Sequence, residues 1–190
     1  MKILVINGSP RKKGSIATML HAVVDNLDGA EVHWIDVNDL KVRSCTGCMK
    51  CRETETCVLP ADDGHRMAEE MKWCDALVLG SPVYWGNMSG QMKLMFDRIV
   101  PSMMGESKLG IPIALHKGKR AIIATACTTI WPFSWMARET SNTNHAMKEI
   151  LHYSGFKVIG KLVYPGTKGK TGVPDRLIRK AGRLGKRLIK

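Results

Sequence analysis

The sequence predicts an open, doubly wound α/β fold: a five-stranded parallel sheet in the order 2-1-3-4-5 with helices on both faces, giving three layers. Three observations predict it. Ile3, Leu4, Val5 and Ile6 form an apolar run too short for a helix, and a strand apolar on both faces belongs inside a sheet covered on both sides. Strand-like and helix-like segments then alternate along the chain, and a crossover between parallel strands is normally a right-handed helix. Finally, 190 residues with 44% hydrophobic content suffice for one domain that buries roughly 70% of its unfolded surface. Residues 1–190 are therefore read as a single domain.

The elements follow in order. After the first strand, Ile16, Met19, Leu20, Val23, Val24 and Leu27 recur at helical spacing. Glu31 to Val37 reads as the second strand, and 38–63 as a long connection without periodicity, the kind of loop that usually carries function. Gly64 to Trp73 reads as a helix capped by Asp62 or Asp63, and Ala76 to Gly80 as the third strand. Met88, Met92, Met95, Phe96 and Ile99 trace a helix whose methionines suit an irregular core better than a soft metal site. Arg120 to Ala126 is the fourth strand, Asn142 to Tyr153 a helix and Lys157 to Val163 the fifth strand. A basic, glycine-rich connector from Pro165 to Pro174 leads into an amphipathic terminal helix at 174–190.

Ligands in such sheets bind beyond the carboxyl ends of the strands where the winding direction reverses, here between the first and third strands. The loop after the first strand, Asn7 to Ser15, holds two glycines, two hydroxyls and three cations and opens onto a helix N-terminus, a setting suited to phosphate. Its spacing excludes Walker A, because Gly8 and Gly14 are one residue too far apart and Ser15 stands where the lysine belongs; it also fails the dinucleotide fingerprint. A strand-helix turn with serine capping and no ligand is the plainer reading, but capping alone does not call for Arg11, Lys12 and Lys13.

After the third strand, Pro82, Val83, Tyr84, Trp85, Gly86 and Asn87 offer two aromatics and a flexible main chain to a planar ring, although the glycine could equally serve a turn. The fourth strand exits through Thr125 and Ala126 into a segment with Trp131, Phe133 and Trp135, which could cover a ring, form a subunit contact or anchor the core. Cys45, Cys48, Cys51 and Cys57 are spaced C-x2-C-x2-C-x5-C; the first three intervals are those of a ferredoxin run, and structural zinc sites more often separate two pairs by a longer insertion. A thiol redox pair, zinc and simple packing remain open for them. Cys74 is expected to pack, and His145 has no partner motif that would make it catalytic; no catalytic side chain is assigned.

The run Gly8-Ser9-Pro10-Arg11-x-x-Gly14-Ser15 after a first strand resembles the phosphate loop of the flavodoxin-like NADPH-dependent FMN reductases. The resemblance implies FMN, with its phosphate on Ser9, Arg11, Gly14, Ser15 and the amides of Ile16 and Ala17, and its ring beside Pro82 to Asn87, Thr125 and Ala126. Ile16 departs from the small polar residue common there. The four-cysteine spacing and the ending Cys57-Val58-x-x-x-Asp62-Asp63 resemble the iron-sulfur flavoproteins of that family, implying a [4Fe-4S] cluster on Cys45, Cys48, Cys51 and Cys57. It further implies ferredoxin or NAD(P)H as electron donor and a homodimer or homotetramer. The alternatives are a cluster-free NAD(P)H-dependent FMN or quinone reductase, or a flavin and thiol sensor without turnover.

The net charge of +12 is concentrated at the end, where Arg176, Arg179, Lys180, Arg183, Lys186, Arg187 and Lys190 occur without an acid while Leu177, Ile178, Ala181, Leu184 and Leu188 keep an apolar stripe. A docked helix with a solvated basic face is the reading, with acidic proteins or anionic nucleotides as the partners such a face would attract. Aromatic or base-reading motifs for nucleic acid are absent. No apolar run approaches the roughly 20 residues of a membrane span, so no membrane association is expected. The chain opens directly on a strand, which leads us to expect no leader and a cytoplasmic protein whose six cysteines are thiols or ligands rather than a disulfide framework.

Overall fold

The computed structural model describes residues 1–25 and 27–189. Its elements in chain order are β1 (Lys2–Asn7), α1 (Ser15–Val24), β2 (Glu31–Asp36), a 3-10 turn (Val37–Asp39), α2 (Cys51–Thr54), α3 (Asp63–Trp73) and β3 (Ala76–Pro82). The chain continues through α4 (Gly90–Arg98), α5 (Val100–Met103), β4 (Met104–Glu106), β5 (Pro112–Ala114) and β6 (Arg120–Ala126). It closes with α6 (Phe133–Met136), α7 (Glu139–Ser154), β7 (Lys157–Tyr164) and α8 (Asp175–Leu188).

The main sheet has the order β2-β1-β3-β6-β7, all parallel, which is the predicted 2-1-3-4-5 arrangement once the separate β4-β5 hairpin is set aside. Strand alternation sorts the core in two. Leu4, Ile6, Leu77, Leu79, Ala121 and Ile123 point to the face covered by α3, α4 and α7, whereas Ile3, Val5, Ala76, Val78, Ile122 and Ala124 point to the face covered by α1 and α8. Both faces are dry, which is why the central strands are apolar throughout. The methionine stripe is core: Met92 and Met95 are buried beside Met67, Met71, Met88, Met103 and Met147.

Several boundaries differ from expectation. The second strand stops at Asp36, because Val37 begins the 3-10 turn, and the third runs on to Pro82, which pairs in register with Ala126. The helix expected from Met88 starts at Gly90, since Ser89 Oγ accepts the Met92 N–H and caps it. Helix α7 is longer than expected, from Glu139, and α3 is capped by Asp62 within a reciprocal box completed by His65. The β4-β5 hairpin was not anticipated: each strand has three residues, too few to show an alternation.

Helix α8 is docked as expected, with Leu177, Ala181, Leu184 and Leu188 buried and Arg176, Arg179, Lys180, Arg183, Lys186 and Arg187 exposed; the predicted end at Lys190 lies outside the described residues. Among the described residues, no helix is long and apolar enough to cross a membrane.

Candidate functional site

The carboxyl rim of the sheet is stitched together by main-chain hydrogen bonds. The Gly8 N–H donates to the Gly80 carbonyl at 2.7 Å and the Val83 N–H to the Ala126 carbonyl at 2.9 Å, so the loops after β1, β3 and β6 begin from one another. Side chains at Gly8 or Gly80 would break this contact: a Cβ on Gly8 would lie 3.0 Å from the Gly80 carbonyl, and one on Gly80 would lie 2.7 Å from Ile16 Cγ2. Asn7, buried at the end of β1, shapes the first loop. Its Oδ1 accepts the Ser9 N–H at 3.1 Å and its Nδ2 donates to Asp36 at 2.6 Å. Neither role was legible in sequence.

Ser9 is buried and its Oγ accepts the Arg11 N–H at 3.2 Å, while the Arg11 side chain is exposed. Gly14 stands at the N-cap of α1 in an extended conformation and supplies no side-chain cap. The amides of Ser15, Ile16 and Ala17, in the first helical turn, therefore keep no capping side chain. Ile16 and Ala17 bury their side chains in the core, leaving only their backbone amides to the loop. With Arg11 beside it, this donor set fits a phosphate monoester. Lys12 is engaged elsewhere: its ion pair with Asp39 at 2.5 Å raises its pKa, chiefly through the hydrogen bond.

In the second loop, Tyr84 and Asn87 exchange both main-chain hydrogen bonds, at 2.9 and 3.0 Å, around Trp85 and Gly86. Trp85 has φ 53° and Gly86 φ 68°, so both central residues are left-handed. A bulky residue there costs on the order of 1–3 kcal/mol, and such strain gathers at ligand sites. Trp85 is also fully exposed, at 104% of its reference area, and Tyr84 is half exposed. A planar ring set against this turn would cover apolar surface that nothing among the described residues covers. Pro82 and Val83 are partly buried at the root of the turn, and Ser81 Oγ accepts the Ser89 N–H at 2.8 Å to fix its far end. Thr125 and Ala126 lie beside Ser81 and Pro82 in the register, but the buried Thr125 hydroxyl donates to Asn144 at 3.4 Å, leaving its main chain for the rim. Trp131, Phe133 and Trp135 are exposed rather than core.

The cysteine loop is held by the N-terminus of α3. Asp63 accepts the Lys41 N–H at 2.7 Å and Asp62 accepts the Arg43 N–H at 3.0 Å. His65 Nδ1 accepts the Asp62 N–H at 3.2 Å, so its proton sits on Nε2, which donates to the Cys57 carbonyl at 3.0 Å. Burial works against it, but the Arg43 and Gly64 N–H groups and the Arg98 charge hold the Asp62 carboxyl below its ordinary value. Cys45 and Cys48 are exposed and Cys51 and Cys57 partly buried, all as free thiols. The four line one concavity of about 100 Å³. The Lys50 N–H lowers the Cys48 pKa, whereas burial raises that of Cys51, which also feels Cys57, Cys45 and Cys48. Gly47, Met49 and Glu55 adopt positive φ, winding the segment between the thiols. Among the described residues, no three His, Cys, Asp or Glu side chains are grouped closely enough to hold a metal ion. The donor set, four free thiols on one concavity, nevertheless has the chemistry of an iron-sulfur site. Cys74 is buried apart from the loop, its pKa pushed up to about 11 by burial, and Cys127 is buried near the rim.

A parallel sheet of order 2-1-3-4-5 with an uncapped helix start at its winding reversal defines a flavodoxin-like protein. Residues 1–168 match the NADPH-dependent FMN reductase family, and the chain belongs to it. It is 33% identical over 120 residues to an iron-sulfur flavoprotein of Methanocaldococcus jannaschii, covering 60% of this chain and 62% of that one. It is 39% identical over 103 residues to an iron-sulfur flavoprotein of Archaeoglobus fulgidus, covering 53% and 46%. The chain thus spans less than two thirds of the length of these curated relatives. In fold it is similar to an NAD(P)H:quinone oxidoreductase from Methanothermobacter marburgensis, with TM-score 0.75 and 18% identity over 100% of this chain and 96% of that one. An azoreductase from Bacillus anthracis superposes with TM-score 0.74 at 12% identity, over 98% and 99%.

Proposed function

We propose that this chain is an FMN-dependent oxidoreductase in which the loops after β1, β3 and β6 hold FMN and Cys45, Cys48, Cys51 and Cys57 hold a [4Fe-4S] cluster. The observation that carries the flavin is the uncapped start of α1 beside Arg11 at the winding reversal of the sheet. Ser9, Arg11, Ser15 and the amides of Ile16 and Ala17 would hold the phosphate, with Gly14 giving the close main-chain approach. The main chain of Pro82 to Asn87, with Tyr84 and Trp85, would border the ring, and the Thr125 and Ala126 main chain would close its other side. Bound FMN supplies the exchange between hydride and single-electron chemistry. The chain's own part is to hold, orient and shield, and no side-chain acid or base is assigned.

The cluster reading is supported by four free thiols on one concavity and by likeness to proteins named iron-sulfur flavoproteins. Ferredoxin would deliver single electrons through it; NAD(P)H would reduce the flavin directly. The exposed Trp131, Phe133 and Trp135 suit a contact between copies in a homodimer or homotetramer, which light scattering on the purified protein measures. One observation favours a second reading, a cluster-free NAD(P)H-dependent reductase: the thiols are not gathered into a closed metal site among the described residues. Absorption spectra of anaerobically purified protein, with iron and acid-labile sulfide assayed on the same sample, decide between them. Flavin with iron and sulfide supports the cluster; flavin alone, even after reconstitution, supports the second reading. A protein without flavin that takes up neither FMN nor riboflavin overturns both.

A further inference from the structure

We propose that Arg98 is the fixed countercharge of the cysteine loop, a positioning and potential-tuning residue for an anionic iron-sulfur group; this rests on the cluster reading above. Arg98 ends α4, and its side chain is only 1% exposed. Among the described residues, none of its Nε, Nη1 and Nη2 atoms has a hydrogen-bond partner. Among the described residues, its one ion-pair neighbour is Asp62, at 3.5 Å from Nη2, and that carboxylate already accepts the Arg43 and Gly64 amides. A buried guanidinium with its donors idle is costly unless something anionic meets it.

The surroundings indicate what meets it. Arg98 lines the same concavity as Cys45, Cys48, Cys51 and Cys57, and it also lines a neighbouring cavity of about 230 Å³ that shares Cys57. Its stem is seated against Gly64, where a Cβ would stand 2.9 Å from Arg98 Cγ, so the guanidinium has little freedom to swing out to water. Four thiolates around an iron-sulfur core carry net negative charge, and cluster potentials respond to net charge, hydrogen bonds to sulfur and solvent exposure. A cation held there favours the reduced form, which has gained one electron and is the more anionic. Asp97 lines the same concavity, and its ion pair with Lys93 at 2.5 Å offsets its charge.

The test compares wild-type protein, Arg98→Met and Arg98→Lys after anaerobic reconstitution with iron and sulfide, each titrated with dithionite against redox dyes. Arg98→Met is expected to shift the ratio of reduced to oxidised cluster at fixed potential about tenfold toward oxidised, equivalent to a midpoint lower by ~59 mV for a one-electron couple. Arg98→Lys, which keeps the charge, should recover most of that shift. Should Arg98→Met fail to fold, Arg98→Gln carries the same comparison. Equal midpoints in loaded wild-type and neutral variants overturn the role of Arg98 alone and leave it a structural partner of Asp62. Wild-type protein that takes up no iron or sulfide overturns the cluster reading, and this proposal with it.

Discussion

The Gly8 N–H reaches the Gly80 carbonyl at 2.7 Å, so the phosphate-type loop after β1 starts from the end of β3 rather than from its own strand alone. Gly80 has no room for a side chain, with Ile16 Cγ2 at 2.7 Å and Leu20 Cδ2 at 3.1 Å from the position of a Cβ. Gly80→Ala should therefore cost about 1–3 kcal/mol through overpacking. It should also weaken FMN binding, because Ile16 carries one of the first-turn amides. Denaturant unfolding and flavin fluorescence titration measure the two effects, and an unchanged unfolding midpoint would refute the packing argument.

Arg11 is exposed beside the uncapped turn, so under the proposed function its contribution goes to the ligand rather than to the fold. Arg11→Ala should leave stability within about 0.5 kcal/mol. It should weaken FMN by about 1.5–3 kcal/mol while sparing riboflavin, which has no phosphate. Parallel weakening of both flavins would move Arg11 away from the phosphate.

Trp85 combines positive φ with full exposure, which is unfavourable unless a ligand uses it. Trp85→Gly removes the backbone strain and no buried contact. The flavin-free variant should unfold no earlier than the wild type, whereas the flavin absorption bands or midpoint potential should change. A less stable flavin-free variant would mean that the indole packs within the chain.

The four loop cysteines should behave as a set. Cys48→Ala should remove most cluster iron while retaining FMN, and the same holds for Cys45, Cys51 and Cys57. Cys74→Ala and Cys127→Ala serve as controls, because both thiols are buried outside the loop. Their iron content should match the wild type even where packing loss lowers stability by about 1 kcal/mol. Equal iron in Cys48→Ala and wild-type protein would count against ligation.

Asp62 links acid stability to the loop. Its carboxyl pKa is held below the ordinary 3.8, so the native state binds fewer protons than the unfolded chain. Its stabilisation is complete above about 3.8 and is lost as pH falls through the lower native value. Asp62→Ala removes a helix cap and leaves Arg98 without a carboxylate, a loss of about 3–5 kcal/mol at neutral pH. The variant's stability should also fall less steeply on acidification, which urea unfolding between pH 2 and 6 would measure; identical slopes would mean that another carboxyl carries the effect.

Much of the fold was legible because both faces of the central strands are buried, and a continuous apolar run such as Ile3 to Ile6 has few other homes. The loops were legible as stretches rather than as geometry. Glycine and serine spacing marked the first loop, yet the anchor, Asn7, acts through a contact to Asp36 that sequence separation hides. In the same way, Asp62 was visible as a cap because its partner is local, while its clamp on Arg43 and its proximity to Arg98 depend on tertiary approach. Arg98 itself reads as an ordinary cation at a helix end. The hairpin escaped because three-residue strands with no fully buried residue leave no period to detect.

The Arg120 guanidinium donates to the Arg187 carbonyl at 3.0 Å, which sets the end of α8 beside the first residue of β6. That is the amino rim of the sheet, opposite the three stitched loops. A tether fused after α8 would therefore fasten the molecule to an electrode back-first, with the loops turned outward.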